Sequence, residues 1–173
     1  ILLALFGGLF ILVYDFLTPS EIVPAKIVRV TIPEGFNHRQ IGERLEAAGL
    51  FASEDFMKIA EKEEGFLFPD TYEFYGHAKP EDVVSKMKEN FLEKVGLDVS
   101  PEVVIMASLL EEEASKDDDR RFIASILSKR LKAGVALQVD AALTYVTGRT
   151  SRELTVENLK FDSPYNTYLY PGL

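Results

Sequence analysis

The side chain best suited to chemistry in this chain is the carboxylate of Glu111. It follows the apolar run of residues 101–110 (PEVVIMASLL) and opens the acidic triplet of residues 111–113. At about 100° per residue in a helix, Glu111 lies on the same face as Val104 and Ala107. Because that face consists of small and apolar residues, we expect the Glu111 carboxyl group to be desolvated. Desolvation favours the protonated form, which a general acid needs near neutral pH.

The triplet can also be interpreted as the solvated end of a helix, because charged side chains are seldom fully buried. We favour that interpretation for Glu112 and Glu113. For Glu111, the small and apolar residues on its helix face leave both interpretations open.

The composition restricts the classes of function. The chain has 173 residues, of which 47% are hydrophobic, as is typical of a globular protein with a core. Its formal net charge of −9 argues against a nucleic-acid partner. It contains no cysteine, and its two histidines, His38 and His77, lie far apart in the sequence. We therefore expect neither a metal site nor a cofactor.

The first residues predict a membrane segment. Residues 1–13 carry no charge, and the apolar stretch continues to about Leu17 with Asp15 as its only charge. A membrane-spanning helix needs about 20 apolar residues, and because the chain begins with Ile we expect further residues upstream. We interpret residues 1–17 as a transmembrane anchor and residues 18–26 as a linker. A signal-peptide core and a buried helix are the alternatives.

Hydrophobic periodicity beyond the linker predicts a mixed α+β fold. A strand, a helix capped by Asn37 and a helix capped by Ser53 form a small unit over residues 27–61. Further helices are predicted over residues 80–95, from Pro101 after a Ser100 cap, from residue 117, over residues 141–146 and near residues 156–159. The acidic residues 117–119 suit a helix start better than a calcium loop, whose alternating ligands are absent. The predicted core face of the helix that they open consists of Phe122, Ile123, Ile126, Leu127 and Leu131.

Four separated segments carry a resemblance to a known family. They are residues 64–72 (EGFLFPDTY), 107–113 (ASLLEEE), 137–140 (LQVD) and 162–173 (DSPYNTYLYPGL). In this order they resemble the EGYLFPDTY-like, ASIIEKE-like, LQSDPT and SPYNTY segments of the YceG-like, or MltG, family of endolytic murein transglycosylases. The resemblance covers roughly residues 28–173, and the ordered set is far more specific than any one segment.

The resemblance implies the domain organisation. The expected protein is α+β, with an N-terminal transmembrane helix over residues 1–17 and a small LysM-like module over residues 27–61. A helix-rich α+β catalytic domain follows over residues 62–173, truncated relative to the family, which continues with a proline–glycine segment. The implied location is the bacterial cytoplasmic membrane, crossed once, with the catalytic domain outside the cytoplasm.

The resemblance also implies an activity. Members of the family cleave peptidoglycan glycan strands internally between MurNAc and GlcNAc, leave a 1,6-anhydro-MurNAc end and use neither water nor metal. The position of their catalytic acid/base corresponds to Glu111. The implied partners are peptidoglycan strands, the membrane and the machinery that synthesises the cell wall.

Several other residues are candidate contacts of the substrate. Gln138 and Asp140 could bond sugar hydroxyls or an N-acetyl group, or could position Glu111, although Asp140 could instead cap a helix. Tyrosine faces can stack on sugar rings, and Asn and Thr supply neutral hydrogen bonds, although a packed loop is the alternative. The candidates are Gln138, Asp140, Tyr165, Asn166, Thr167 and Tyr168, with Glu73 as the second-choice carboxylate. For Asp70 we favour an Asx-type turn after Pro69.

Departures from the family pattern leave other functions open. The helix end of residues 128–131 (SKRL) lacks the family's Asn, and Val139 and Ala141 replace a hydroxyl residue and a proline. A non-catalytic glycan-binding or scaffold protein is one alternative. A muramidase-type hydrolase, with Glu111 as acid and Asp140 or Glu73 as second carboxylate, is another. A purely structural membrane protein would require the four-segment match to be accidental.

Overall fold

The computed structural model describes residues 26–97 and 99–173. Within these two ranges, none of the helices combines the length and the apolar character that crossing a membrane requires. The predicted anchor over residues 1–17 and nearly all of the predicted linker lie outside the described residues. Both therefore stay predictions.

The described residues form a helix-rich α+β fold, as predicted. The strands and helices are, in order, β1 (Ile27–Thr31), α1 (His38–Ala47), α2 (Ser53–Ala60), β2 (Thr71–Tyr75), α3 (Pro80–Val95), α4 (Pro101–Glu113), α5 (Asp117–Lys132) and α6 (Asp140–Thr147). Short 3-10 helices cover Glu61–Glu63, Ser151–Glu153 and Asn158–Lys160. The 3-10 helix over Asn158–Lys160 lies where a helix is predicted near residues 156–159. This segment is too short to form an α-helix.

The two strands pair antiparallel and hold the first core. Ile27 pairs with Tyr75 and Thr31 with Thr71, so every second residue of each strand is buried. The buried side chains pack on α1, α2 and α3, and the resulting core includes Val28, Val30, Ile41, Leu45, Phe56, Tyr72, Phe74, Val83 and Met87. The pairing adds β2 to the strand–helix–helix unit predicted for residues 27–61. Its identity as a LysM-like module stays a prediction.

The starts of the first two helices differ in how they are capped. At α1 the Asn37 side chain accepts hydrogen bonds from the backbone of Arg39 and Gln40, and Gln40 accepts one from the Asn37 backbone. This capping box confirms the predicted start. At α2 the N-cap is Ala52, which has no side-chain hydrogen bond to give. The prediction that Ser53 caps α2 is wrong, because Ser53 is already the first helical residue.

A second core joins α4, α5 and α6. It contains Leu109, Leu127, Leu137, Val139 and Ala141, with Ile123 and Leu131 packed against it. The predicted core face of α5 is too wide, because Phe122 is 68% exposed and Ile126 is 40% exposed. The residues that α5 does bury are four apart, which makes a narrow stripe against its neighbours.

Candidate active site

The end of helix α4 carries carboxylates on two different faces. Residues 111 and 113 are about 200° apart around the helix, and residues 104 and 111 are about 20° apart. Val104 faces the turn at Gly65, where a methyl group added to the glycine would lie 2.7 Å from Val104 Cγ1. Glu111 therefore lies on the face that α4 turns toward residues 64–65, about 10 Å farther along the helix. Glu113 lies on the face that continues from buried Leu109.

Glu111 is exposed to solvent. Within residues 26–97 and 99–173, no hydrogen bond or ion pair to its carboxylate is formed, and the neighbouring Ala107 is exposed as well. The expectation of a desolvated Glu111 is wrong, because nothing in the described part of the chain covers the predicted small-residue face at this point. Its exposure does leave the carboxylate accessible to a polymeric substrate.

Glu113 occupies a different environment from Glu111. Partial burial raises the pKa of its carboxyl group, and the negative charges of Asp140 and Glu112 raise it further. It lines a surface pocket of about 340 Å³ together with residues of α5 that include Asp119, Phe122 and Ile123. Glu113 is still an exposed residue, as is Glu112, which agrees with the prediction of a solvated helix end for both. Glu113 differs from Glu111 in its angular position around α4, which brings it near Asp140 of α6.

The segment of residues 137–140 is fixed to two other parts of the chain. Gln138 donates its backbone N–H to the carbonyl of Thr167 at 2.8 Å. Thr167 Oγ1 lies 3.0 Å from both the N–H and the carbonyl of Val139. Arg130 of α5 donates to the carbonyl of Leu137 at 2.7 Å and to Gln138 Oε1 at 2.8 Å. The structure thus brings the predicted LQVD and YNTY segments together.

Asp140 and Tyr168 form a close pair beside Glu113. The Tyr168 hydroxyl donates to Asp140 Oδ1 at 2.5 Å. Burial and this acceptor raise the pKa of Tyr168 to about 12, with a further contribution from the charge of Glu113. The alternative that Asp140 caps a helix is wrong, because Val139 is the N-cap of α6 and Asp140 is the first helical residue.

Asn166 and Thr167 have internal roles. Asn166 is fully buried, and its amide donates to the carbonyls of Leu159 and Phe161 at 3.1 and 2.7 Å. Its Oδ1 accepts the backbone N–H of Tyr168 at 2.9 Å. In this conformation the Asn166 side chain cannot touch a sugar, and the predicted contact would require the turn to open. Thr167 is also buried, so its visible role is the bond to Val139.

Tyr165 is the most accessible aromatic candidate. It is 60% exposed, and its ring centre lies 6.0 Å from that of Tyr145, with 56° between the ring planes. Burial raises the pKa of Tyr145, and the charge of Glu64 raises it further, which places α6 close to residue 64. The free face of Tyr165 suits the predicted stacking on a sugar. Contact with a substrate stays a prediction for every candidate residue.

Glu73 and Asp70 lie on the surface beside the first core. Glu73 lies on the exposed side of β2 and pairs with Arg29, whose Nη2 is 2.8 Å from Oε1. Asp70 accepts hydrogen bonds from the Asn90 side chain at 3.0 Å and the Thr71 backbone at 2.7 Å, and these lower the pKa of its carboxyl group. The predicted Asx-type turn is wrong, because such a turn bonds the residue two positions on.

Metal ligands are not gathered in this part of the molecule. Within the described ranges, no group of three or more His, Asp or Glu side chains is placed to hold a metal ion.

Comparisons with known proteins agree with the sequence resemblance. A family model described as the YceG-like family matches residues 13–173. A curated relative from Bacillus subtilis, named endolytic murein transglycosylase, is 36% identical over 120 residues, which is 64% of this chain and 33% of that protein. A relative of the same name from Streptococcus pneumoniae is 30% identical over 124 residues, which is 64% of this chain and 22% of that protein.

A solved structure is similar as well. It is the crystal structure of a YceG-like protein from Listeria monocytogenes, with a TM-score of 0.71 and 28% identity over 84% of this chain and 60% of that chain. The chain spans a third or less of the length of the curated relatives it matches.

Proposed function

Because the chain belongs to the YceG-like family, we propose that it acts as an endolytic murein transglycosylase with Glu111 as the acid/base. The observation that carries the proposal is the Glu111 carboxylate itself. By the sequence resemblance it corresponds to the family's acid position, and it is exposed and without a protein partner in the described ranges, at the end of a helix. An accessible carboxylate there can reach a glycosidic bond in a long strand.

The proposed reaction needs one carboxylic acid. Glu111 donates its proton to the oxygen between MurNAc and GlcNAc while the bond from that oxygen to the muramyl C1 breaks. The resulting carboxylate then accepts the proton of the C6 hydroxyl while O6 bonds to C1. The products are a new GlcNAc hydroxyl end and a 1,6-anhydro-MurNAc end, and no water is consumed.

The solvent exposure of Glu111 has a consequence for this mechanism. A general acid must carry its proton in order to act, and removal of water from around a carboxyl group favours that form. We infer that the glycan strand supplies this desolvation when it lies over α4.

The arrangement favours this single-acid reaction over a two-carboxylate hydrolysis. Inverting and retaining hydrolases place two carboxyl groups on opposite sides of one glycosidic bond. Here Asp140 accepts a hydrogen bond from the Tyr168 hydroxyl and lies near Glu113, which is on a different face of α4 from Glu111. Glu73 is paired with Arg29 on the exposed side of β2.

We further propose the cellular setting that the sequence predicts. Residues 1–17 would anchor the chain in the bacterial cytoplasmic membrane, with the described residues outside the cytoplasm. Residues 27–61 would serve as a LysM-like module that holds glycan, and the cell-wall synthesis machinery would be the partner. The apolar character of residues 1–17 and the order of the elements support these proposals.

The test is mass spectrometry of purified peptidoglycan incubated with the full chain. We expect 1,6-anhydro-MurNAc ends from the unmodified protein and a loss of at least about a hundredfold with Glu111→Gln, because removing a general acid typically costs 10²–10⁴-fold. The matched control is Glu112→Gln, the adjacent exposed carboxylate, which should leave the rate nearly unchanged. Reducing ends would instead indicate hydrolysis. Glycan binding without products would indicate a binding protein.

A further inference from the structure

Gln138 has an unusual backbone conformation at the centre of the site. Its φ is 55°, and it is the only residue other than glycine with a positive φ within residues 26–97 and 99–173. A side chain in the left-handed region costs free energy, and such residues persist where the surroundings impose the conformation. Its neighbours Leu137 and Val139 are both buried, whereas Gln138 itself is exposed. The left-handed backbone at Gln138 therefore directs its amide side chain toward solvent while the residues on either side are buried.

Arg130 fixes the orientation of that amide. Its Nη2 lies 2.8 Å from Gln138 Oε1, and its Nη1 lies 2.7 Å from the carbonyl oxygen of Leu137. A guanidinium group only donates hydrogen bonds, so the atom that faces it must be the amide oxygen. The Gln138 Nε2 group is therefore turned away from Arg130 with two N–H donors. Within the described ranges, no protein acceptor takes either of them.

The charges nearby select the kind of acceptor that fits these donors. Asp140 and Glu113 lie close enough for the charge of Asp140 to raise the pKa of Glu113. The positive charge nearby, that of Arg130, is already bound to Gln138 Oε1 and the Leu137 carbonyl. The two carboxylates outnumber it, so an anionic acceptor, such as a carboxylate of a stem peptide, is disfavoured. A neutral amide carbonyl is a strong acceptor with no charge. In a glycan of N-acetylated sugars, that group is the acetamido carbonyl.

We propose that Arg130 is a positioning residue that presents the Gln138 amide N–H groups to an acetamido carbonyl of the glycan. The inference deepens the proposed function, on which it rests for the class of polymer. It names the chemical group that Gln138 would bind. It also gives a role to Arg130, which in sequence is only part of the SKRL departure from the family pattern.

The test compares two neutral β-1,4-linked oligosaccharides of equal length, chitohexaose and cellohexaose. They differ in the acetamido group, which cellohexaose replaces with a hydroxyl. Binding is read by NMR from the amide resonances of residues 137–140 in the full chain, so that glycan bound elsewhere does not contribute. One hydrogen bond to a strong acceptor corresponds to a preference of about tenfold for chitohexaose.

Two variants separate recognition from structure. Gln138→Glu keeps an acceptor for Arg130 but removes the N–H donors, so the preference should fall to about one while the fold is kept. Arg130→Lys loses the two-pronged contact and should reduce the preference several-fold. Arg121→Lys, an exposed arginine on the same helix, is the matched control and should keep the full preference.

The inference is overturned by any of three results. These are equal affinities for the two oligosaccharides in the unmodified protein, no change at residues 137–140 with chitohexaose, or an unchanged preference in Gln138→Glu. The experiment does not require turnover. A failure of the proposed lyase activity appears as missing products in the mass spectra, whereas a failure of this inference appears only in the titration.

Discussion

At the scale of single residues, the pair of Tyr168 and Asp140 is the tightest polar contact of the site, at 2.5 Å. Tyr168→Phe removes a hydrogen bond to a charged, half-buried acceptor. We expect a loss of about 1–2 kcal/mol in the free energy of unfolding at neutral pH. Urea unfolding followed by circular dichroism measures this loss.

The same pair predicts a dependence on pH. The pKa of Tyr168 is about 12 in the folded protein and about 10 in an unfolded chain. From pH 10 to pH 12 the unfolded chain releases this proton while the folded protein keeps it, so the stabilisation is present below pH 10 and is lost as pH rises. The difference between the unmodified protein and Tyr168→Phe should therefore shrink between about pH 9 and about pH 12.

The matched control is Tyr170→Phe. The Tyr170 hydroxyl also donates to a carboxylate, Asp162 Oδ1 at 2.7 Å, but both groups are exposed. Its removal should change the stability little, because an exposed hydrogen bond is exchanged for one to water. A cost for Tyr168→Phe no greater than that for Tyr170→Phe would show that burial does not strengthen the pair.

At the scale of elements, the start of α2 offers a test of how the helix is capped. Ala52 is the exposed N-cap with extended backbone angles and no side-chain cap. Ala52→Ser supplies an oxygen that can accept an N–H of the first turn, so we expect a gain of about 0.5–1 kcal/mol in the free energy of unfolding. Thermal or urea denaturation measures it.

Ser53→Ala provides the opposite test. If Ser53 were the cap, as its residue type suggests, Ser53→Ala would cost about 1 kcal/mol and Ala52→Ser would do little. In the structure Ser53 is the first helical residue, and its backbone N–H donates to Glu46 Oε2 at 3.3 Å. That bond does not need the hydroxyl, so we expect Ser53→Ala to be nearly neutral.

The helices show which features the sequence can predict. The start of α1 depends on Asn37 and Gln40, which are three positions apart. The starts of α3 and α4 at Pro80 and Pro101 agree with the predictions. These signals act within one turn of the chain. The pairing of β2 with β1 joins residues 40 to 48 positions apart, and no local pattern in the sequence specifies that partner.

The site shows the same division between local and distant information. Periodicity places Glu111 and Val104 on one face, and the contact of Val104 with Gly65 agrees with a packed face there. The sequence could not show that Glu113 faces α6, because that depends on how two helices cross. Arg130 was missed because its two acceptors are reached only after the chain turns back from α5.

At the scale of the whole molecule, the two cores meet through the segment that begins at Glu64. The Glu64 carboxylate accepts the backbone N–H of His38 at 3.0 Å and also contacts the His38 ring, which fixes the segment to α1. The next residue, Gly65, touches Val104 of α4. The helix that carries Glu111 is therefore positioned against the first core by a contact that has no room for a side chain.

This contact predicts a difference between two glycines of the same conformation. Gly65 has φ +84° and Gly35 has φ +77°, so alanine at either position bears a similar backbone cost of about 1–2 kcal/mol. At Gly65 the new methyl group would also lie 2.7 Å from Val104 Cγ1, whereas at Gly35 no atom of the described residues lies within 4 Å. Because a valine is restricted in its rotamers, we expect Gly65→Ala to cost about 1–3 kcal/mol more than Gly35→Ala in urea unfolding.

A double-mutant cycle with Val104→Ala locates the source of this extra cost. Truncating Val104 removes the clashing atom, so Gly65→Ala should cost about as much in the Val104→Ala background as Gly35→Ala does in the unmodified protein. The coupling energy should then be about 1–3 kcal/mol in favour of the double variant. If Gly65→Ala also lowers production of anhydro-muramyl ends in folded protein, and Val104→Ala restores it, then the placement of α4 against the first core contributes to the activity of Glu111. A coupling energy near zero would mean that the backbone at Gly65 moves away from Val104 at little cost. Other contacts would then position the two cores.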